Sequence, residues 1–329
     1  MRLFIAPTIA SVVALAGIYW WGGPAALFIA TALAILEVTL SFDNAVINAK
    51  ILEEMSPLWQ RRFLTWGILL SVFGTRLVLP ICIVSIVAFT SPVTITMLAL
   101  YQPEAYSQLL ASAEAAIKAF GGVFLLMVSL KYFFNASKTI HWFAPIERHL
   151  VKWGRVEALE VTIALSVLLV VSFFARELPE TIIRAGAIGI ILFTLTEGIA
   201  HGLGVETKNI ARTGILMFAY LNVLDSAFSL DGVVGAFALT TSLPVIVAGL
   251  GIGAYFVRSL TVHLVRAGTL SGLVYLEHGA HWAIFGLALA MFTGLIVHVP
   301  EVVIAFVGLG FISLSYISSR RALGAEVVA

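Results

Sequence analysis

The chain has 329 residues, of which 60% are hydrophobic and only 11% are charged. A water-soluble domain of this length cannot bury so much apolar surface, so the composition excludes an ordinary soluble fold and indicates that a lipid bilayer is the solvent. The formal net charge of +1 gives no sign of nucleic-acid binding. The single cysteine, Cys82, excludes an internal disulfide and a multi-cysteine metal site.

Apolar blocks of about 20 residues recur along the chain, which is the length that an α-helix needs to cross about 30 Å of hydrocarbon. Because lipid offers the backbone no hydrogen-bond partner, these blocks must be helices. We predict an all-α polytopic membrane protein with about ten transmembrane helices. The predicted spans are residues 3–21, 25–49, 63–89, 118–134, 158–175, 183–204, 212–240, 243–265, 272–294 and 299–318.

The basic residues between the spans set the predicted orientation. With the N-terminus inside, the loops on that side hold thirteen Lys and Arg, whereas the opposite loops hold only Arg176 and Arg184. Positively charged loops stay in the cytoplasm, so we expect both termini to be cytoplasmic in a bacterial inner membrane. Two connections, residues 104–117 and 138–155, have amphipathic helical patterns. We expect both to lie on the membrane surface, the second against anionic lipid.

A short motif occurs twice in the chain. Residues 37–44 read Glu-Val-Thr-Leu-Ser-Phe-Asp-Asn, and residues 225–232 read Asp-Ser-Ala-Phe-Ser-Leu-Asp-Gly, so an acid, a serine and an aspartate keep the same spacing. In the next span of each half a glycine precedes an arginine by nine residues. These pairs are Gly67 with Arg76 and Gly249 with Arg258. Equivalent helices five spans apart run in opposite directions, which predicts two inverted-topology repeats, residues 1–157 and 158–329.

These residues resemble the TerC family of bacterial membrane proteins. The resemblance rests on the Glu-x-x-x-Ser-x-Asp-Asn motif, its Ser-x-Asp partner and the Gly-to-Arg spans, and it covers about residues 25–295. Residues 55–67 and the run Glu277-His-Gly-Ala-His281 are closest to a subgroup described only as a domain of unknown function. The wider family is linked to tellurite resistance and manganese export, so the resemblance implies a cation exporter. The chain departs from the plainer pattern at Asp225 and Gly232.

Five carboxylates lie in the interior of the predicted spans, at least six residues from either end, although each costs about 2.5–3.5 kcal/mol to insert; they are Glu37, Asp43, Glu197, Asp225 and Asp231. We expect Arg76 and Arg258 to pair with two of them, which leaves three negative charges and suits a divalent cation. All candidate ligands are oxygens, a set that favours manganese, magnesium or calcium over copper or zinc. The candidates are Glu37, Ser41, Asp43, Asn44, Glu197, Asp225, Ser229 and Asp231.

Helix geometry leaves two arrangements open for the first motif. On an ideal helix Ser41 lies within about 40° of Glu37, whereas Asp43 points about 120° away. Both acids reach one ion only if the helix is distorted. A bond from Ser41 to a backbone carbonyl would distort it, and Pro80 in the next span removes the hydrogen bond to the carbonyl of Arg76. Otherwise Asp43 faces Arg76.

Each group that contains histidine has two interpretations, a structural one, which we call ordinary, and a functional one. Glu197 and His201, four residues apart, form either a ligand with a proton-relay imidazole or an internal hydrogen bond. For two further groups we favour the ordinary interpretation over a metal site. These groups are Glu277, His278 and His281, read as a network between helices, and His141, Glu147 and His149, read as a solvated face.

We therefore expect a secondary transporter that exports a divalent cation, with manganese first and calcium or magnesium as alternatives. We expect no cofactor and no enzymatic activity, since we find no Walker sequence. The alternative is a non-transporting scaffold that docks soluble tellurite-resistance or envelope-stress proteins, and a homo-oligomer also stays open. An intramembrane metalloenzyme built on Glu197, His201, Glu277 and His281 is disfavoured, because it lacks a His-Glu-x-x-His-type motif.

Overall fold

A computed structural model describes residues 2–53, 55–156, 158–175, 179–202, 210–266 and 272–328. For residues 2, 64, 68, 199–202, 210–213, 230, 231, 238, 301 and 324–328 it describes the backbone alone. The described ranges contain helices and no strand. Six of these helices are long and apolar enough to cross a membrane. The chain is an all-α polytopic membrane protein.

The elements follow one another along the chain as thirteen α-helices and one π-helical segment within the described residues. They are α1 (Arg2–Leu40), α2 (Phe42–Glu53), α3 (Pro57–Leu69), the π segment (Leu70–Val78), α4 (Leu79–Val87), α5 (Pro92–Tyr101), α6 (Pro103–Phe133), α7 (Ala144–Trp153), α8 (Leu159–Phe174), α9 (Pro179–Gly202), α10 (Ile210–Leu239), α11 (Leu243–Arg266), α12 (Leu276–Gly294) and α13 (Glu301–Val328).

Each predicted span overlaps one of these helices, but the first two spans are joined in α1. The helix bends at Gly23, whose φ of 72° lies in the left-handed region that glycine adopts without strain. Trp20 and Trp21 precede the bend and are 91% and 62% exposed. Exposed tryptophans at this position are typical of the boundary between lipid and water. Gly23 therefore divides α1 into two helical parts, which correspond to the first predicted span and to most of the second.

The second and third predicted spans are each interrupted. A turn at Ser41 separates α1 from α2. The third span consists of α3, the π segment and α4, and the Leu79 N–H bonds to the carbonyl of Gly74, five residues back instead of four. Pro80 lies in the first turn of α4, where a missing N–H is tolerated. The distortion near Pro80 therefore takes the form of a π-helix, a feature often found at functional sites.

The connection between the third and fourth spans differs most from expectation. α5 was not predicted, and residues 104–117 are the first half of α6 instead of a separate surface helix. Tyr106, Leu110 and Ile117 are at most 2% exposed, because they pack in an apolar cluster with side chains of α4, α5 and α10. The amphipathic pattern was read correctly as a helix. The prediction that its apolar face meets lipid was wrong, since that face meets protein.

α6 is the central helix of the bundle. Its residues from Val123 to Met127 are all at most 2% exposed, and a helix that is apolar and buried on all sides must be surrounded by others. α6 packs against α9 and α12, and α12 packs against α13. α1 runs along α11, which joins the first half of the chain to the second.

α7 is attached to α12 through one buried carboxylate. Glu147 is fully buried, and its oxygens accept hydrogen bonds from His278 Nδ1 at 2.9 Å and from Trp282 Nε1 at 3.1 Å. Lys138 Nζ lies 3.1 Å from Glu147 Oε2, and His141 Nδ1 lies 3.8 Å from the same oxygen. The prediction of a solvated face was therefore wrong for Glu147. Glu147, fully buried and bonded to donors of α12, therefore anchors α7 to that helix.

The remaining histidines of these groups make local contacts. His149 Nδ1 lies 2.6 Å from the carbonyl of Pro145 on its own helix. His281 Nδ1 lies 2.9 Å from the carbonyl of Glu277, and its ring stacks on Tyr132 with centroids 3.6 Å apart. His278 and His281 thus both take part in contacts between helices, as expected, whereas His149 bonds to its own helix.

The surroundings of Glu147 make the α7 attachment dependent on pH. Burial by itself raises the pKa of Glu147, but the hydrogen bonds from His278 and Trp282 and the charge of Lys138 outweigh it and lower the pKa from 4.5 to about 2. A carboxylate with a depressed folded-state pKa stabilises the fold above its unfolded value. That stabilisation is present above about pH 4.5 and is lost as the pH falls towards 2.

We expect Glu147→Gln to loosen α7 from α12, because it leaves the buried donors of Lys138 and His278 without an anionic acceptor, at about 1–3 kcal/mol. Limited proteolysis of the segment 135–156 in membrane vesicles measures this, and cleavage should become faster. Glu180→Gln is the matched control, since Glu180 pairs with Arg184 at an exposed position. Equal cleavage rates in the two variants would show that Glu147 does not hold α7.

Candidate functional site

The first acid of the first motif forms a buried ion pair. Glu37, near the end of α1, is 2% exposed and contacts Arg76 of the π segment. Ser41 Oγ donates to the same carboxylate oxygen at 2.9 Å, and Arg76 also donates to Ser71 Oγ at 2.8 Å. The serine therefore bonds the carboxylate and not a backbone carbonyl. The alternative in which Asp43 faces Arg76 was wrong, because the π segment directs the guanidinium to Glu37.

The second half repeats this pairing. Arg258 Nη2 of α11 lies 3.5 Å from Asp225 Oδ2 of α10, and both residues are at most 4% exposed. The guanidinium also donates to the carbonyl of Phe63 at 3.0 Å and lies 4.0 Å from the centre of the Phe63 ring. A Cβ on Gly67 would come within 1.9 Å of Arg258 Nη1, so glycine is required there. In both halves the first acid pairs with the arginine of the next span.

A hydrogen bond joins the two motifs directly. Asn44 Nδ2 of α2 donates to Asp225 Oδ1 at 2.7 Å. Beside this contact lies a cavity of about 10 Å³, which has room for about one water molecule. Among its lining residues are Ser41, Asn48, Arg76, Asp225 and Arg258. The two ion pairs therefore share one small polar space between the halves.

Three buried oxygens near the ion pairs have no hydrogen-bond partner within the described part of the chain. They are Asn44 Oδ1, Asn48 Oδ1 and Ser229 Oγ. Ser229 lies one turn after Asp225 on α10, and the two asparagines lie one turn apart on α2. An unsatisfied buried oxygen costs about 1–3 kcal/mol, so three of them in two facing motifs require an explanation.

Asp43 lies on another side of α2. It is 4% exposed, accepts a hydrogen bond from the Asn44 N–H at 2.8 Å, and has no basic partner among the described side chains. It lines a second small cavity together with Glu37 and Gly232. A Cβ on Gly232 would lie 3.3 Å from Glu37 Oε2. Gly232 stands where the first motif has an asparagine, and its lack of a side chain leaves room for the carboxylate of Glu37.

Of the other predicted ligands, Glu197 is not brought to this space. Glu197 lies in a larger cavity, with Lys131 Nζ 3.7 Å from its carboxylate. The side chains of Asp231 and His201 lie outside the described residues, although both backbones are helical. No group of three or more His, Cys, Asp or Glu that could hold a metal occurs among the described side chains.

The charge balance differs from the sequence estimate because Lys131, inside the predicted span 118–134, lies beside Glu197. Arg76, Arg258 and Lys131 face three of the five acids; of the other two, Asp43 has no described basic partner, and the side chain of Asp231 lies outside the described residues. The sequence also gave no ligand role to Asn48, although it follows Asn44 by one helical turn. It missed Ser71 as well, because five-residue spacing to Arg76 has meaning only in a π-helix.

The chain belongs to a family described as "Protein of unknown function (DUF475)", which matches residues 42–323. No curated protein and no solved structure matches this chain.

The pairing of Arg76 with Glu37 can be tested by compensation. Arg76→Ala should destabilise the protein by about 3–5 kcal/mol, because it leaves Glu37 buried without a counter-charge. Adding Glu37→Gln should recover much of this loss, whereas adding Asp43→Asn should not. The measurement is thermal unfolding of the purified variants in one detergent. Equal recovery by both second changes would contradict the assignment of Glu37 as the partner.

Proposed function

We propose that the protein is a secondary transporter that exports a divalent metal cation, with manganese as the expected ion, across the bacterial cytoplasmic membrane. The observation that carries the proposal is the set of orphaned buried oxygens on α2 and α10 beside two mirrored acid–arginine pairs. Carboxylate, amide and hydroxyl oxygens are the ligands of hard divalent cations. The resemblance of the repeated motif to the TerC family supports the same class of substrate.

The balance of charge also supports a divalent cation. Five intramembrane carboxylates stand against three basic neighbours, so the formal count leaves two negative charges, which match one divalent ion. A protein that served only as a docking scaffold would need its ion pairs for packing. It would need neither the uncompensated acid Asp43 nor unsatisfied oxygens.

In the described conformation the arginines occupy the two carboxylates that a cation would use. A cation must therefore displace Arg76 from Glu37, or Arg258 from Asp225. Removing one partner of a buried pair leaves an uncompensated charge, at about 3–5 kcal/mol, unless another cation takes its place. Arginine release is thus coupled to ion binding. Mirrored pairs in the two halves supply the two arrangements that alternating access requires.

Glu197 and His201 keep a separate role in this proposal. Their place on α9, away from the paired acids, suits proton coupling better than ion coordination, and the choice of coupling ion stays a prediction. Manganese, calcium and magnesium share the required ligand chemistry, so the ion itself is decided by flux measurements on each metal.

The first test neutralises the acids without changing their shape. Glu37→Gln and Asp225→Asn should abolish manganese efflux, because a neutral amide holds a divalent ion far less well than a carboxylate. The assay is the manganese retained by cells that lack their own exporters, compared at matched protein level, with Glu180→Gln as the exposed control. Asp43→Asn and Asp231→Asn should impair opposite sides of the pathway. Efflux at the wild-type rate in all four variants would favour the scaffold.

A second test distinguishes a ligand role of the Ser229 hydroxyl from a packing role. Ser229 Oγ is buried without a described partner, so Ser229→Ala should leave stability unchanged or raise it by about 1 kcal/mol while lowering efflux. Ser226→Ala, one turn earlier on α10, removes a hydroxyl that donates to the Asn222 carbonyl and serves as the matched control. If Ser229→Ala transports manganese as well as Ser226→Ala does, this hydroxyl is not a ligand.

A further inference from the structure

A second, much larger cavity lies between α2, α6, α8, α9, α10 and α12. Its volume is about 590 Å³, which is within the range of small-molecule pockets, about 300–1,000 Å³. The small cavity between the ion pairs has only about 10 Å³. The polar lining of the large cavity includes Lys50, Lys131, Glu160, Glu197, Glu277 and His281.

The large cavity ends close to the paired carboxylates. On α2, Ile47 lines the large cavity, and the next residue, Asn48, lines the small one. On α10, Tyr220 lines the large cavity and Asp225 the small one, and five residues correspond to about 7.5 Å along a helix. One layer of side chains therefore separates the two spaces.

The lining of the large cavity favours cations. Its three carboxylates outnumber its two lysines, so the described lining carries one net negative charge when histidine is neutral. Both lysines pair loosely, since Lys50 to Glu277 and Lys131 to Glu197 are each 3.7 Å and each lysine is 46% exposed. Such pairs are worth about 0–1 kcal/mol, so a hydrated cation replaces a lysine at low cost.

The cavity faces the side of the membrane that carries the basic loops. Lys50 is in the last turn of α2, Lys131 is in the last turn of α6, and Glu160 is in the first turn of α8. The loops that follow α2 and α6 are among those that the charge distribution assigns to the cytoplasm.

We infer that the large cavity is an aqueous vestibule that collects divalent cations on the cytoplasmic side and delivers them to the paired carboxylates. This inference rests on the proposed export for its last step. Water access and charge preference do not depend on transport, so they can be measured separately. Glu160, Glu197 and Glu277 attract the ion, and Lys50 and Lys131 act as tethered counter-cations when no ion is present.

The test uses cysteine accessibility in a Cys82→Ser background, which removes the native thiol. Ile47→Cys should react with membrane-impermeant methanethiosulfonate reagents in inside-out vesicles, at least about tenfold faster than Val46→Cys, because a thiol needs water to form its reactive thiolate. Val46 is the matched control, since it belongs to the same core cluster and has no exposed surface, whereas Ile47 is 4% exposed and lines the cavity. Met217→Cys and its control Leu221→Cys repeat the comparison on α10.

Charge preference is measured with a cationic and an anionic reagent, each normalised to its rate with a free thiol. We expect Ile47→Cys to react about fivefold faster with the cationic reagent than with the anionic one, and Glu197→Gln to reduce that ratio.

The vestibule would be overturned if Ile47→Cys reacted no faster than Val46→Cys and Met217→Cys no faster than Leu221→Cys. A faster normalised reaction with the anionic reagent would overturn it too, and so would labelling that occurs only from the outside of intact cells. Labelling without manganese efflux would refute the export proposal alone, whereas efflux without labelling would refute the vestibule alone.

Discussion

Arginine keeps its charge even when it is buried, so a guanidinium inside a membrane protein requires its neighbours to compensate for it. Arg76 is compensated because the π segment turns it towards Glu37. Arg258 is compensated by Asp225 and by the carbonyl and ring of Phe63, in a space that Gly67 leaves open. Since Phe63 and Gly67 belong to the first half and Arg258 to the second, satisfying this charge also fixes how the halves pack.

The two ion pairs are equivalent in sequence but not in geometry. Arg76 contacts Glu37 directly and the pair is supported by Ser41, whereas Arg258 lies 3.5 Å from Asp225, which also accepts a hydrogen bond from Asn44. Two ion pairs whose hydrogen-bond partners differ also differ in free energy. A two-state protein built on them therefore favours one state at rest, and a ligand shifts the balance only by binding the other state more tightly.

The sequence predicted the parts of this arrangement that depend on hydropathy and repetition: the helices, the two motifs and the arginines. It did not predict which acid meets Arg76, because that depends on a π-helix whose extra residue per turn leaves no hydropathy signal. It also placed the face of residues 104–117 on lipid and Glu147 in solvent. An amphipathic pattern distinguishes the two faces of a helix but not whether the apolar face meets lipid or protein, and a buried polar cluster is recognised only once its partners are adjacent in space.

The short helix α2 connects all the charged parts of the molecule. Asn44 joins it to Asp225 on α10, Lys50 joins it to Glu277 on α12, and its N-terminus is separated from α1 only by the turn at Ser41. Ser41 Oγ donates to the Glu37 oxygen that also contacts Arg76. Any change in the partner of Glu37 therefore changes the hydrogen bond at the junction of α1 and α2. Because α2 contributes side chains to both the large and the small cavity, a movement of α2 would alter both cavities together.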